Sequence, residues 1–442
     1  MLLKRYRFKV VIYYCLRSNM KTKHYLKLKE DVITETLDNG LSIVMVPKSN
    51  YHKTFAVLTT AYGALEQKFA IDDAQPIQIP AGTAHFLEHK LFEKENEDAF
   101  ARFGELGADA NAFTNAYQTS YLFSTTQNLI PALTHLLDFV QTPYFSKQTV
   151  EKEQGIIGQE IQMYDDDPNW ALYMGLLNTL YPDSSIAKDI AGTRETIATI
   201  TPELLYAIHS AFYQPTQLTL HIVGHFNPEE ILAVVKDNQF KKDLRPKKLT
   251  RFQEKNLPAK EQQSERYFNV SRPKVAFGIR LDQNQVAGIE ATKRILIADI
   301  LDDLLFGEQT DWYQNLYSHG IIDTEFNTSF DIIKHYQYVS FFAETDDYDI
   351  LTQEIQSQID DYQNVLENQQ NAFESLRRAT VGEGIQKLNS LENMALQGDD
   401  VLFGTNLFDK IELLQDLTFD DILVTADKIY RNATLQRFVL HK

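Results

Sequence analysis

At 442 residues the chain is too long for one ordinary core, and 43% apolar with 24% charged residues is a globular composition of roughly two to four domains. A formal net charge of -18 argues against a phosphate-backbone partner, which needs a concentrated positive face, and leaves peptides open as substrates. Cys15 is the only cysteine, which excludes intrachain disulfides and multi-thiolate metal sites and fits a reducing cytoplasm.

The opening MLLKRYRFKVVIYYCL has a basic start and an apolar run at residues 10–16. Arg7 and Lys9 confine that run, and RSNM offers no small-residue cleavage site, so export is not expected. Residues 1–19 read as an N-terminal extension or first strand region ahead of Met20. No stretch reaches the ~18 apolar residues of a membrane span. Alternation at 40–48 and 54–64 predicts two neighbouring strands, the first entered from the turn Asp38-Asn39-Gly40. Apolar residues recur with helical spacing over 83–106, and 111–126 returns to alternating aromatic and β-branched residues, hence strand. Helices are predicted at 129–139, from 146 to Pro168, at 170–180 and at 202–212, with a last strand at 217–226. From 239 to 268 the text turns charged and proline-punctuated, as a linker does. The order then repeats: strand at 274–281, helix at 292–306, strand at 336–345, and a long polar helical run over 351–396. A faint internal match aligns Leu91-Phe92 with Leu305-Phe306 and supports a duplication.

The segment HFLEH places His85 and His89 one helical turn apart, so both imidazoles can reach one ion. Glu88 can point into the same cleft without coordinating, as a general base beside a metal-bound water must. Phe86 and Leu87 lie around the helix and pack it onto the sheet. Two histidines with a distant carboxylate leave a coordination position open, which suits catalysis better than a closed structural site. Glu153 and Glu160, seven residues apart on one helical face, supply the carboxylate candidates. One can ligate while the other supports the histidines. A Mg²⁺ or Mn²⁺ phosphohydrolase fits less well, because paired imidazoles suit zinc.

On GTAHFLEH, GADANAFTNAYQTSYLF, the Glu-x6-Glu helix and LFGEQTDWYQNLYSHGI, the chain resembles the inverted-zincin peptidases, the family of pitrilysin, insulysin and the mitochondrial processing peptidases. The likeness covers essentially everything from Met20 onward and is closest to the bacterial single-unit branch. It implies Zn²⁺ held by His85, His89 and Glu160, with Glu88 as base and Glu153 as the carboxylate that holds a ligand histidine. It also implies that Asn111 and Ala112 pair an extended peptide with their own strand.

The implied fold class is α+β: two duplicated homologous halves, each a mostly antiparallel sheet covered by helices, facing each other across a cleft. Residues 20–238 would be the catalytic zinc-binding half, 239–268 the linker and 269–442 a non-catalytic, substrate-enclosing half. Opposite His85, Glu88 and His89 fall Asp299, Asp302 and Asp303, read as a solvated acidic helix face. The family commonly supplies an Arg and a Tyr from its second half to substrate and oxyanion. Here those positions hold Tyr317 and Asp323, so Tyr317 or His319 stands as the candidate substitute. The implied activity is a zinc endopeptidase acting on peptides or leader-like segments, in the cytoplasm. The partner would be a homodimeric copy or a heterodimeric paralogue lacking the zinc motif. The alternative is a weakly active or non-catalytic zinc-binding subunit of such a complex.

Overall fold

The computed structural model describes residues 20–95, 97–242, 244–254, 263–281, 286–396 and 398–442, so the expected extension at 1–19 lies outside the described residues. The first half opens with the antiparallel β1 (Lys21–Tyr25) and β2 (Glu30–Thr36), then β3 (Ser42–Pro47) and β4 (Thr54–Thr60). Short β5 (Lys68–Ile71) and β6 (Ile77–Gln78) precede α1 (Thr83–Phe92) and α2 (Ala99–Glu105). The stretch expected as continuously helical over 83–106 is therefore broken. Asp98 caps α2 by accepting from the Phe100 N–H at 2.8 Å, and Lys94 in the break donates to the Phe139 and Thr142 carbonyls at 2.6 and 2.7 Å.

Residues 111–126 form most of a hairpin, β7 (Ala108–Thr114) and β8 (Thr119–Thr125). It turns at Asn115, whose Oδ1 accepts from the Tyr117 and Gln118 N–H groups, both at 2.9 Å. Then come α3 (Leu129–Gln141), α4 (Lys147–Asp165), α5 (Pro168–Leu180), α6 (Arg194–Ile197) and α7 (Pro202–Phe212). The half ends with β9 (Leu218–Gly224) and α8 (Pro228–Lys242).

The stretch expected as a linker holds the end of α8 and two strands, β10 (Leu249–Arg251) and β11 (Gln263–Tyr267). The second half continues with β12 (Lys274–Arg280), α9 (Ile289–Phe306), α10 (Asp311–Ser318), β13 (Asn327–Ile333) and β14 (Tyr336–Glu344). The long helical run divides into α11 (Tyr348–Asp360), α12 (Tyr362–Leu366), α13 (Gln370–Lys387) and α14 (Leu391–Ala395). Asn368 at φ +68 and the capping Ser390 interrupt it. The chain ends with α15 (Gly398–Phe403), α16 (Leu407–Asp416), α17 (Phe419–Tyr430) and β15 (Leu435–His441).

The seven-stranded first sheet runs β1-β2-β3-β9-β4-β8-β7 and the five-stranded second sheet β11-β15-β12-β14-β13. The last five strands of the first correspond one for one with the second. Each set begins with a parallel pair (β3 with β9, β11 with β15) and continues antiparallel to a free-edged hairpin strand. The fold is thus a two-domain α+β architecture, and the shared topology is far clearer evidence of duplication than the sequence match.

Every residue of β4 is buried, so its sheet is covered on both faces. Ala56 and Leu58 face the core under α1, α3 and α7. Phe55 and Val57 face a second cluster with Leu391, Met394, Phe408 and Ile411 from α14 and α16 of the other half. The converse also holds: Leu172, Leu176 and Leu180 of α5 cover Ala276 and Phe438 of the second sheet. Contact is so close that a Cβ on Gly175 would stand 2.1 Å from the Phe438 ring. Each sheet is roofed by the helices of the other half.

Candidate metal centre

The chain reaches α1 through Gly82, whose φ of +91 lies in the left-handed region and whose missing Cβ leaves room for the Ala191 carbonyl. Phe86, Leu87 and Leu91 are fully buried in the first core. That fixes the roll of the helix and turns His85, Glu88 and His89 together into a cleft of about 640 Å³. The imidazole centroids are 4.5 Å apart.

Across the cleft runs α4, started by a Ser146–Thr149 capping box and anchored by buried Val150, Ile157 and Ile161. It carries Glu160 to 3.5 Å from His85 Nε2 and 3.8 Å from His89 Nε2. His85, His89 and Glu160 offer ligand atoms that all lie within 4.8 Å of one another, the only such group among the described residues. On the same helix Glu153 accepts from His89 Nδ1 at 3.1 Å, which leaves Nε2 for the ion. The Glu153 carboxylate also lies 3.9 Å from the fully buried Lys90 ammonium.

The protonation states suit a metal. Burial pushes His85 down to about 4, with His89 adding to the effect, so the ring is neutral with a free lone pair. Its Nδ1 is buried without a hydrogen-bond partner among the described residues, and its Nε2 faces Glu160. Burial opposes the charged form of His89, but the Glu153 bond and the surrounding carboxylates outweigh it and raise its pKa. For Glu153 burial is outweighed by the His89 bond and the Lys90 charge, and its pKa falls. Burial raises Glu88, and the Thr114 hydroxyl, which donates to Glu88 Oε2 at 2.6 Å, partly offsets this. Two imidazole nitrogens and one carboxylate, with Glu88 beside them, form a zinc site with an open position.

Asn111 and Ala112 line the same cleft on β7, the edge strand of the first sheet. The Asn111 Oδ1 accepts from the Ala112 N–H at 2.8 Å. Tyr317 is elsewhere: half exposed on α10, it stacks on Tyr313 and does not line the cleft. Asp323 is likewise outside, 3.7 Å from Arg272. Thr114, Tyr164, Trp170 and Asp189 line the cleft without having been singled out from sequence. Thr114 ends the strand-edge region 107–114 expected beside the cleft, and Tyr164 lies one helical turn beyond Glu160; Trp170 and Asp189 carried no signal. In the second half, α9 exposes Asp299 and Asp303 as expected. Asp302 departs from that expectation, being buried and accepting from the Tyr430 hydroxyl at 3.0 Å.

Comparison with known proteins agrees with this geometry. Residues 78–194 match the family model described as Insulinase (Peptidase family M16), and 199–379 match the Peptidase M16 inactive domain. The chain is 38% identical to an uncharacterized zinc protease, YmfH, of Bacillus subtilis, over 91% of this chain and 95% of that one. It superposes on the crystal structure of an M16-like peptidase from Alicyclobacillus acidocaldarius with a TM-score of 0.86 at 30% identity, covering 96% and 99% of the two chains. A protease from Helicobacter pylori shares the fold at a TM-score of 0.73 and 19% identity, over 96% and 100%.

Proposed function

The chain belongs to the insulinase family of metallopeptidases, family M16, and from that premise we propose an endopeptidase that cuts extended peptide segments laid along the free edge of β7. The observation that carries the reading is the convergence of His85, His89 and Glu160 beside Glu88 and next to an unpaired strand edge. Zinc, when bound, polarises the scissile carbonyl and acidifies water. Glu88, steadied by Thr114, takes the proton of the attacking water and delivers it to the leaving amine. A substrate strand that uses the Ala112 N–H displaces the Asn111 oxygen from it, and main-chain pairing of this kind reads backbone more than side chain.

We assign the catalytic half to 20–238 and the closing half to 269–442, with 239–268 crossing between them. Among the described residues, those that line the cleft all come from the first half. A second chain is therefore the natural cover, either another copy or a paralogue without the zinc motif, as in the bacterial single-unit branch. A cytoplasmic setting agrees with the single cysteine. No described helix is long and apolar enough to cross a membrane. The second reading, a zinc-binding subunit needing a partner for activity, is favoured by one observation: no Lys or Arg lines the cleft among the described residues.

The test is zinc content together with cleavage of a fluorogenic extended peptide. We expect chelator to abolish cleavage and Glu160→Gln to lose zinc and activity together. Chelator-insensitive cleavage, or normal zinc in Glu160→Gln, would sink the assignment.

A further inference from the structure

Glu153, Glu160 and Tyr164 follow one another on α4 at intervals of two turns and one. Three working groups of the cleft are each held by a protein partner. Glu153 holds His89, Thr114 holds Glu88, and the Tyr164 hydroxyl donates to Glu160 Oε1 at 2.9 Å. Among the described residues it is the only hydroxyl bonded to Glu160.

A contact four residues along a helix can be incidental, but this ring, 38% exposed, also packs beside an anchored neighbour. It packs 5.9 Å from the Trp170 ring, whose Nε1 donates to Asp189, which in turn accepts from the Ala191 N–H at 2.7 Å. A phenol hydroxyl is an O–H donor at neutral pH, matched to a carboxylate acceptor. A Glu ligand on a flexible stem loses rotamer freedom when it binds an ion, and a partner that has already ordered it removes part of that cost.

We propose that Tyr164 is a positioning residue for the metal, its phenol holding the Glu160 carboxylate turned toward His85 and His89. The proposal rests on the zinc reading of the site and adds to it a residue of α4 that acts through the third ligand.

The experiment compares wild type, Tyr164→Phe and Glu160→Gln by zinc competition with a chelator, the visible spectrum of the Co²⁺-loaded protein, and peptide-cleavage kinetics. Tyr164→Phe should bind zinc about 10–100-fold more weakly, the usual scale for loss of a ligand's supporting hydrogen bond, with an altered Co²⁺ spectrum. The unfolding midpoint of the metal-free protein should be unchanged. Wild-type zinc affinity and an unaltered spectrum in Tyr164→Phe, with metal lost in Glu160→Gln, would overturn the proposal and leave the zinc reading standing. A fall in kcat at unchanged zinc affinity would overturn it too, by placing the phenol on substrate. Failure of wild type to bind metal would remove both.

Discussion

The helix α1 with its edge strand β7, and α9 with β13, occupy corresponding places in two sheets that share a five-strand topology, yet among the described residues only the first pair gathers a metal-competent cluster. At Glu88 the first half places a buried carboxylate beside two imidazoles and a carboxylate ligand. At the matching position the second half places Asp302, just as buried, against a tyrosine hydroxyl with no imidazole on its helix. The fold supplies a helix facing a strand edge, and side chains decide whether that place is a reaction centre or a packing contact.

The sharpest way to break this comparison is paired substitution. Glu88→Gln should reduce peptide cleavage by about 10²–10⁴-fold, the range for a lost general base, with zinc content retained. Asp302→Asn should keep the wild-type rate at pH 7, and a comparable loss there would mean that both halves take part. Next in size is an effect of pH on stability. Burial raises the Asp302 carboxyl from 3.8 to about 8, with Asp299 and Asp303 adding to the rise and the Tyr430 hydrogen bond opposing it. The folded state therefore holds a proton that the unfolded chain has released between those values. Its stabilising contribution is complete below about pH 4 and is lost as pH rises toward about 8, by at most about 1.4 kcal/mol per pH unit. Asp302→Asn should thus gain on wild type from pH 5 to pH 8, as read by urea unfolding; a pH-independent difference would refute the neutral buried acid. The smallest effect is expected at Tyr317. Tyr317→Phe should change kcat/KM by less than about twofold, since losses of one oxyanion donor are about 10²–10³ and this ring is outside the cleft. A large loss in kcat would bring the second half into the reaction.

Much of the first half was legible because its signals are local. HFLEH is one helical turn, Glu153 and Glu160 are two, and the alternation in 42–47 and 54–60 is read within one strand. What escaped depends on distant partners. β1, with Lys21 to His24 exposed, has no buried alternation and becomes a strand only by pairing with β2. β11 is mostly exposed and is defined by parallel pairing with β15, whose residues lie at the other end of the half. The 83–106 stretch kept helical periodicity across a break that Asp98 and Lys94 create through bonds to α2 and to the end of α3. Tyr317 could be aligned to a family position from sequence, but its distance from the cleft depends on how the halves pack.

The mutual roofing of the sheets also bears on synthesis. When the ribosome has delivered the first half, Phe55, Val57 and Val223 still await Leu391, Met394 and Phe408, which come more than 160 residues after Val223. At ~5–20 residues per second that interval lasts on the order of ten seconds or more, with an apolar sheet face uncovered. The nascent first half is therefore a natural client for chaperones, and a chain cut short before α14 is a candidate for aggregation rather than for a smaller working enzyme.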